Sequence, residues 1–386
     1  MSLIPTGKMG LMLNRDNLVQ IVRYAEAEQP SDWRRITPAF LTVDLTWNCN
    51  YDCLGCIDTK ARDGSHVVHK RQGGDALNPN PSSFTGPSLQ RIHVDSALRF
   101  VKAHGLRGVQ VMGGEPLLYP DIDDVLQTFA AERIPMEIVT NGSLIARHVD
   151  SLARVLSLEG SWLRVSINGW ASYGRRVGRV DQGSELRKQV VEGIRSLLAR
   201  LPHSAKDRVY VSVVAFKDTV DDLTDIANNI HEAGIRRIHV VRERDAVSKE
   251  CVPGQEHVGD VISEAAGQIR KTLGEGFGIS VTDRLRAEPT PQDKRYAPCP
   301  SVMLKTVLGA DGWLYACSDH RGCEYARLAC IADFSGDVEK TWFSDSRVQA
   351  ALGYCPASHC ADIVCSRFAA NLVMSMLRAK HTWWAF

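Results

Sequence analysis

Phe40-Leu-Thr-Val-Asp-Leu-Thr46, followed by Trp47-Asn-Cys49-Asn-Tyr-Asp-Cys53-Leu-Gly-Cys56, decides how the rest of the chain reads. The first part is an apolar, β-branched run of strand length. The second part places three cysteines at C-x3-C-x2-C spacing on the loop leaving that strand. Thiolates are soft ligands and suit iron–sulfur clusters or zinc. Zinc sites usually combine paired C-x2-C knuckles with a fourth protein ligand, and this loop supplies one such pair. Three sulfurs on the corners of an iron–sulfur cube leave its fourth iron open to a bound molecule.

Outward from this loop, strands and helices alternate. Upstream, residues 14–29 are expected to be helical, with Leu18, Ile21, Val22 and Ala25 three and four apart. Downstream, residues 61–87 are rich in Gly, Pro, Ser and Asn and carry His66, His69, Lys70 and Arg71. So long a loop is usually functional or mobile, and it reads as a lid over the site or as a plain insertion. Strands are then expected at 108–112, 136–140, 162–167, 209–214 and 237–241. Helical faces lie between them, as in Ile122, Val125, Leu126 and Phe129. Six βα units imply an α/β fold with a parallel sheet curled as a partial (β/α)6 barrel, which binds ligands at the carboxyl ends of its strands. After about residue 285 the pattern changes. Gly309-Ala-Asp-Gly312 between two apolar runs signals a hairpin, and seven of the eleven cysteines fall between 299 and 365. The expected organisation is a helical extension over 1–39, a core over 40–285 and a small cysteine-rich domain over 286–386, closed by a helix at about 362–379.

Composition narrows the classes. The chain has 386 residues, 44% apolar and 24% charged, with a formal net charge of +1. That is globular, with no global field directed at nucleic acid or membrane. No run reaches the roughly 18 apolar residues of a membrane span, and Met1-Ser-Leu-Ile-Pro-Thr-Gly-Lys8 lacks the apolar core of a signal peptide. A cytoplasmic location is expected, where the cysteines are metal ligands or reactive thiols rather than disulfides.

Gly113-Gly-Glu-Pro116 follows the second expected strand. Its glycines admit close backbone approach, and Glu115 can accept from an ammonium group. Together with the C-x3-C-x2-C loop one strand earlier, it resembles the radical S-adenosylmethionine (SAM) superfamily. The resemblance implies that Cys49, Cys53 and Cys56 hold a 4Fe–4S cluster and that Gly113, Gly114 and Glu115 hold the amino group of SAM. It further implies that Thr140, Asn141, Ser166 and Asn168 serve its ribose and carboxylate, with Arg179 a further carboxylate contact. Thr140-Asn141 reads equally as part of a helix N-cap with Ser143. Gly55 departs from the family, which usually carries a large residue there near the adenine; Tyr51 or the sixth strand is then the expected adenine contact.

Cys299, Gly312 and Cys317 form C-x12-G-x4-C, similar to the opening of the superfamily's SPASM/twitch domains. The shorter twitch version implies one auxiliary 4Fe–4S cluster, held by Cys299, Cys317 and members of Cys355, Cys360 and Cys365; a structural zinc is the alternative. Of the remaining cysteines, Cys251 is the candidate hydrogen-atom donor.

The family's reaction is reductive cleavage of SAM to methionine and a 5′-deoxyadenosyl radical, which takes a hydrogen atom from the substrate. The partners implied are a small-molecule substrate and an electron donor such as flavodoxin or ferredoxin, with no nucleic acid and no membrane. Sugars, cyclitols and aminoglycoside-type natural products are the expected substrates, ending in dehydrogenation or dehydration. A Cys-dependent epimerase and a ribosomal-peptide maturase are the alternatives. A tRNA-modifying enzyme fits poorly with the near-zero charge, and a plain iron–sulfur scaffold does not account for Gly113-Gly-Glu-Pro116.

Overall fold

A computed structural model describes residues 18–51, 53, 86–171, 173–177, 180–215, 217–242, 258–283, 298–318, 320–359 and 368–383. The chain divides into two compact units. One comprises Met1–Asp44, Leu89–Gln110 and Ala287–Phe386, the other Leu45–Ser88 and Val111–Arg286. Strands β1 (Phe40–Thr46) and β2 (Val109–Gly113) each run from the first unit into the second.

In the second unit the ends of β1 and β2 are followed by β3 (Met136–Thr140), β4 (Trp162–Ser166), β5 (Val209–Ala215), β6 (Arg237–Arg242) and β7 (Gly278–Asp283), in that spatial order. Every pair from β3 to β7 is parallel, with Thr140 beside Val165, Ser166 beside Ser212 and Ala215 beside Arg242. The sheet is open rather than closed, so the partial-barrel expectation holds. Helices α1 (Leu18–Glu26), α2 (Arg91–Ala103), α3 (Ile122–Ala131), α4 (Val149–Ser157), α5 (Gly183–Arg200), α6 (Leu223–Glu232) and α7 (Val258–Leu273) accompany the strands in sequence. Ile122, Val125, Leu126 and Phe129 are buried as one face of α3, as their spacing requires. The helix between β3 and β4 does not start directly after Leu144. Residues Ile145–Arg147 form a single tight turn, and α4 begins after His148, whose backbone leaves the helical region at φ −122°. The seventh strand was not expected. Gly-Ile-Ser-Val-Thr-Asp is half polar, and its Val281 is 41% exposed, so it lacks the apolar run of a central strand.

In the first unit the order is β10-β9-β8-β1-β2, where β8 is Lys305–Leu308, β9 Trp313–Tyr315 and β10 Arg327–Cys330. Strand β8 pairs with β1 in parallel, Phe40 beside Lys305 and Val43 beside Leu308. The hairpin expected at Gly312 joins β8 to β9. Gly312 turns it at φ +81°, a region open to glycine. The longer helices after β10 are α8 (Asp345–Gly353) and α9 (Phe368–Trp383), with short helical segments at Val338–Trp342 and Pro356–His359.

Strand β1 explains why its sequence is not purely apolar. All seven residues are buried. Leu41, Val43 and Leu45 face one way; Thr42, Asp44 and Thr46 face the other. A buried polar group is costly unless it is bonded, and each of the three is bonded. Thr42 donates to Gln110 at 3.2 Å, Asp44 pairs with Arg321 at 3.2 Å, and Thr46 shares a hydrogen bond with Ser88 at 2.7 Å. Asp44 and Arg321 are 0% and 5% exposed; removing one partner of such a pair costs about 3–5 kcal/mol, because the other charge is stranded.

Candidate functional site

The carboxyl ends of β1, β2 and β3 carry the predicted chemistry, and there the structure builds one connected network. The cysteine loop leaves β1 under tight restraint. Trp47 N donates to Pro87 O at 2.9 Å, Asn48 N to Thr46 Oγ1 at 3.1 Å, and Gly86 N to Asn48 Oδ1 at 2.8 Å. Gly114 N donates to Thr46 O at 2.8 Å and Glu115 N to Asn48 O at 2.7 Å. Gly113 and Gly114 are therefore needed for backbone contact with the loop. A Cβ on Gly113 would fall 2.1 Å from Thr46 O, and one on Gly114 2.3 Å from Asn48 O.

Glu115 is fully buried and holds the next strand in place. Its Oε1 accepts from Leu117 N at 3.0 Å and Thr140 Oγ1 at 2.7 Å, and its Oε2 accepts from Asn141 N at 2.7 Å. A carboxylate offers about four acceptor positions, so three are spent inside the protein. Burial pushes its carboxyl up to about 7, against the opposing pull of these donors. The folded state therefore keeps a proton that the unfolded chain loses near 4.5. Stability from this group is fully present below that pH and is lost as pH rises through about 7, an effect on the order of 3 kcal/mol. In urea unfolding of the cofactor-free protein, wild type should lose about that much relative to Glu115→Gln between pH 5 and 8. At pH 5 Glu115→Gln should be the weaker of the two by about 1–3 kcal/mol, because its amide cannot accept all three donors, and that gap should close or reverse towards pH 8. Parallel pH curves would refute the assignment.

Asn50, between the first two cysteines, ties the loop to β3. It accepts from Asn141 Nδ2 at 2.9 Å and donates to Ser143 Oγ at 2.9 Å; Ser143 Oγ in turn donates to Asn141 Oδ1 at 2.6 Å. The polar atoms of Thr140 and Asn141 thus join loop, Glu115 and strand end to one another. Ser166 ends β4, and Asn168 just beyond it accepts from Val214 N at 3.0 Å. Tyr51 is buried edge-on against Tyr173, ring centres 6.4 Å apart, and burial pushes its hydroxyl up to about 12. Sequence reading missed Asn50 and Tyr173, and gave Ser143 only a place in a helix N-cap. The signal available for Asn50 was its place inside the cysteine spacing.

Cys49 and Cys53 are partly exposed on this fixed loop, and Tyr51 N donates to Cys49 Sγ at 3.4 Å. Two soft donors with an N–H aimed at sulfur fit thiolate ligation of an iron–sulfur cluster. Cys56, Arg179 and Cys251 lie outside the described residues, as does most of the expected lid.

In the first unit Cys299 is buried, while Cys317 and Cys355 are partly exposed. The hydroxyl of Ser358 holds the Cys355 thiol below its ordinary range. His320, also missed, is fully buried with Nδ1 against the hydroxyl of Tyr354; its backbone is bonded to both Cys317 and Cys323. Cys360 and Cys365 lie outside the described residues. Among the described residues no three His, Cys, Asp or Glu side chains converge as a metal site, and no helix is long and apolar enough to cross a membrane.

Comparison with known proteins places this geometry. Residues 44–230 match the Radical SAM superfamily. The GTP 3′,8-cyclase of Listeria welshimeri serovar 6b is 22% identical over 302 residues, 76% of this chain and 77% of that protein. Mycofactocin maturase MftC of Mycobacterium ulcerans is 24% identical over 190 residues, 49% of this chain but only 43% of the maturase. Among solved structures, Streptococcus suis SuiB bound to precursor peptide SuiA superposes with a TM-score of 0.57 at 15% identity. That match covers 88% of this chain and 70% of SuiB and speaks to the fold. The cysteine loop, the Gly-Gly-Glu turn and strands β2 to β5 all fall within residues 44–230, the stretch that matches the Radical SAM superfamily.

Proposed function

We propose that this chain is a radical SAM oxidoreductase or lyase that abstracts a hydrogen atom from a small natural-product substrate of sugar, cyclitol or aminoglycoside type. Dehydrogenation or dehydration follows. The observation that carries the chemistry is the network from the Cys49–Cys53 loop through Asn50 to Asn141 and on to Glu115. It fixes the sulfur ligands against the strand ends where such folds bind ligands. When bound, the 4Fe–4S cluster supplies the electron that cleaves SAM, delivered to it by a donor such as flavodoxin or ferredoxin. Cys49, Cys53 and Cys56 hold the cluster, and the turn at Gly113–Glu115 positions the amino group of SAM. Its acceptors there are the backbone carbonyls and the remaining lone pair of Glu115 Oε2. Asn141, Ser166, Asn168 and Arg179 supply the ribose and carboxylate contacts, and the buried Tyr51 closes the loop side of the site.

Residues 286–386 form the auxiliary twitch-like domain in this reading. Cys299 and Cys317 are two ligands of one 4Fe–4S cluster, with the rest drawn from Cys355, Cys360 and Cys365. Oxidation needs an electron acceptor after hydrogen abstraction, and an auxiliary cluster supplies one. A second reading, a peptide maturase, is favoured by the likeness to mycofactocin maturase MftC.

The test is anaerobic reconstitution with dithionite and SAM. About eight irons per chain and 5′-deoxyadenosine are expected for two cubes. Turnover in D2O then separates the outcomes. Oxidation or elimination leaves no solvent deuterium at the abstracted position. One solvent deuterium in the product, with Cys251→Ala making deoxyadenosine but no product, would replace this reading by an epimerase. Deuterium moving from a labelled peptide into deoxyadenosine, with none from labelled small molecules, would favour the maturase.

A further inference from the structure

Asn371 in α9 is fully buried. Its Oδ1 accepts from Ser301 N at 3.1 Å and from Ser301 Oγ at 2.6 Å. A backbone N–H can only donate, so this contact fixes which end of the amide is oxygen. The other end, Nδ2, is thereby aimed at Cys299 Sγ, 3.6 Å away. Ser301 belongs to the short helical turn Pro300–Leu304 that starts directly after Cys299. One amide thus grips the sulfur at one end and the chain two residues on at the other. An apolar side chain would fill the same space without the desolvation cost of an amide, so the amide invites an account in terms of what the sulfur does.

We propose that Asn371 is a positioning residue. It orients the Cys299 sulfur and, through an N–H···S hydrogen bond, raises the reduction potential of the auxiliary cluster which that sulfur holds. This rests on the reading of residues 286–386 given above. A donor to sulfur stabilises the state with more negative charge, which is the reduced one. Hydrogen bonds to sulfur are among the levers that set cluster potentials. Tyr51 N to Cys49 Sγ is the same kind of contact in the other unit, supplied there by backbone. At Cys299 a side chain supplies it, so it can be removed by substitution.

The experiment is an EPR-monitored redox titration of the full-length reconstituted chain, with iron content measured alongside. Each variant is read in a background with Cys49, Cys53 and Cys56 replaced by alanine, so that only an auxiliary cluster contributes signal. Asn371→Asp keeps the acceptor for Ser301 and removes the N–H; Asn371→Leu removes both. Both should titrate at a more negative midpoint, with about a tenfold change in the oxidised-to-reduced ratio at fixed poise, about 59 mV for one electron. Ser301→Ala should shift it less in the same direction, because Ser301 N still holds the amide. A full complement of iron with an unmoved midpoint in both Asn371 variants overturns the role of Asn371 alone. If both lose their iron, Ser301→Ala decides, and an unmoved midpoint there overturns the proposal. A parent background that binds no iron refutes the auxiliary cluster itself, and the proposal with it.

Discussion

Replacing Cys49, Cys53 and Cys56 together by alanine is expected to abolish 5′-deoxyadenosine formation from SAM under dithionite, while the chain stays folded. The expectation follows from where the sulfurs sit. Cys49 and Cys53 lie on a loop whose backbone is held by Thr46, Pro87 and the Gly114–Glu115 turn. None of those bonds involves a thiol, so losing the sulfurs removes ligands and leaves most of the scaffold. Reductive SAM cleavage requires the cluster, so the loss should be complete rather than graded. The same protein should keep about half of the iron of wild type under the two-cube reading. Liquid chromatography of the reaction mixture and an iron assay check both outcomes. Deoxyadenosine formed at the wild-type rate by the triple variant would sink the assignment. Iron falling to zero would remove the auxiliary cluster but leave the first cluster in place.

The sequence made this site readable because its determinants are local. Three cysteines within eight residues, and two glycines before Glu115, state their spacing without reference to any other part of the chain. The βα alternation was readable for the same reason: Ile122, Val125, Leu126 and Phe129 mark a helical face wherever they occur. What stayed hidden depends on partners far away in sequence. Nothing in Lys305–Leu308 announces that it pairs in parallel with Phe40–Val43, because a short buried strand carries no label for its neighbour. The role of Glu115 was legible as chemistry but not as structure. Its three donors come from Leu117, Thr140 and Asn141, and two of them lie a strand further on. Asn371 and Cys299 are 72 positions apart, and only the docking of α9 brings amide to sulfur.

Gly114→Ala should cost the protein its first cluster, through backbone alone. The added Cβ would lie 2.3 Å from Asn48 O, 2.6 Å from Trp47 O and 2.7 Å from Asn48 C. All three are main-chain atoms, so no flexible side chain can swing away to make room. The loop cannot easily yield either. Asn48 is bonded at its N to Thr46, at its O to Glu115 N and at its Oδ1 to Gly86 N. One methyl group therefore forces a choice between breaking the Glu115 N to Asn48 O bond and pushing the cysteine loop off its seat. Overpacking of this kind costs about 1–3 kcal/mol or more, and a displacement near 1 Å at a reacting site costs roughly a hundredfold in rate. Iron content and deoxyadenosine yield should both fall, with a lower melting temperature. Gly113→Ala should behave as badly, since its φ of +135° adds strain to a 2.1 Å clash with Thr46 O. The control is Gly267→Ala in α7, where a Cβ meets nothing within 4 Å. There the substitution should be neutral or stabilise the helix by up to about 1 kcal/mol. Gly114→Ala with wild-type iron and wild-type melting would mean that the loop rearranges freely, and the account of these glycines as the seat of the cysteine loop would have to be given up.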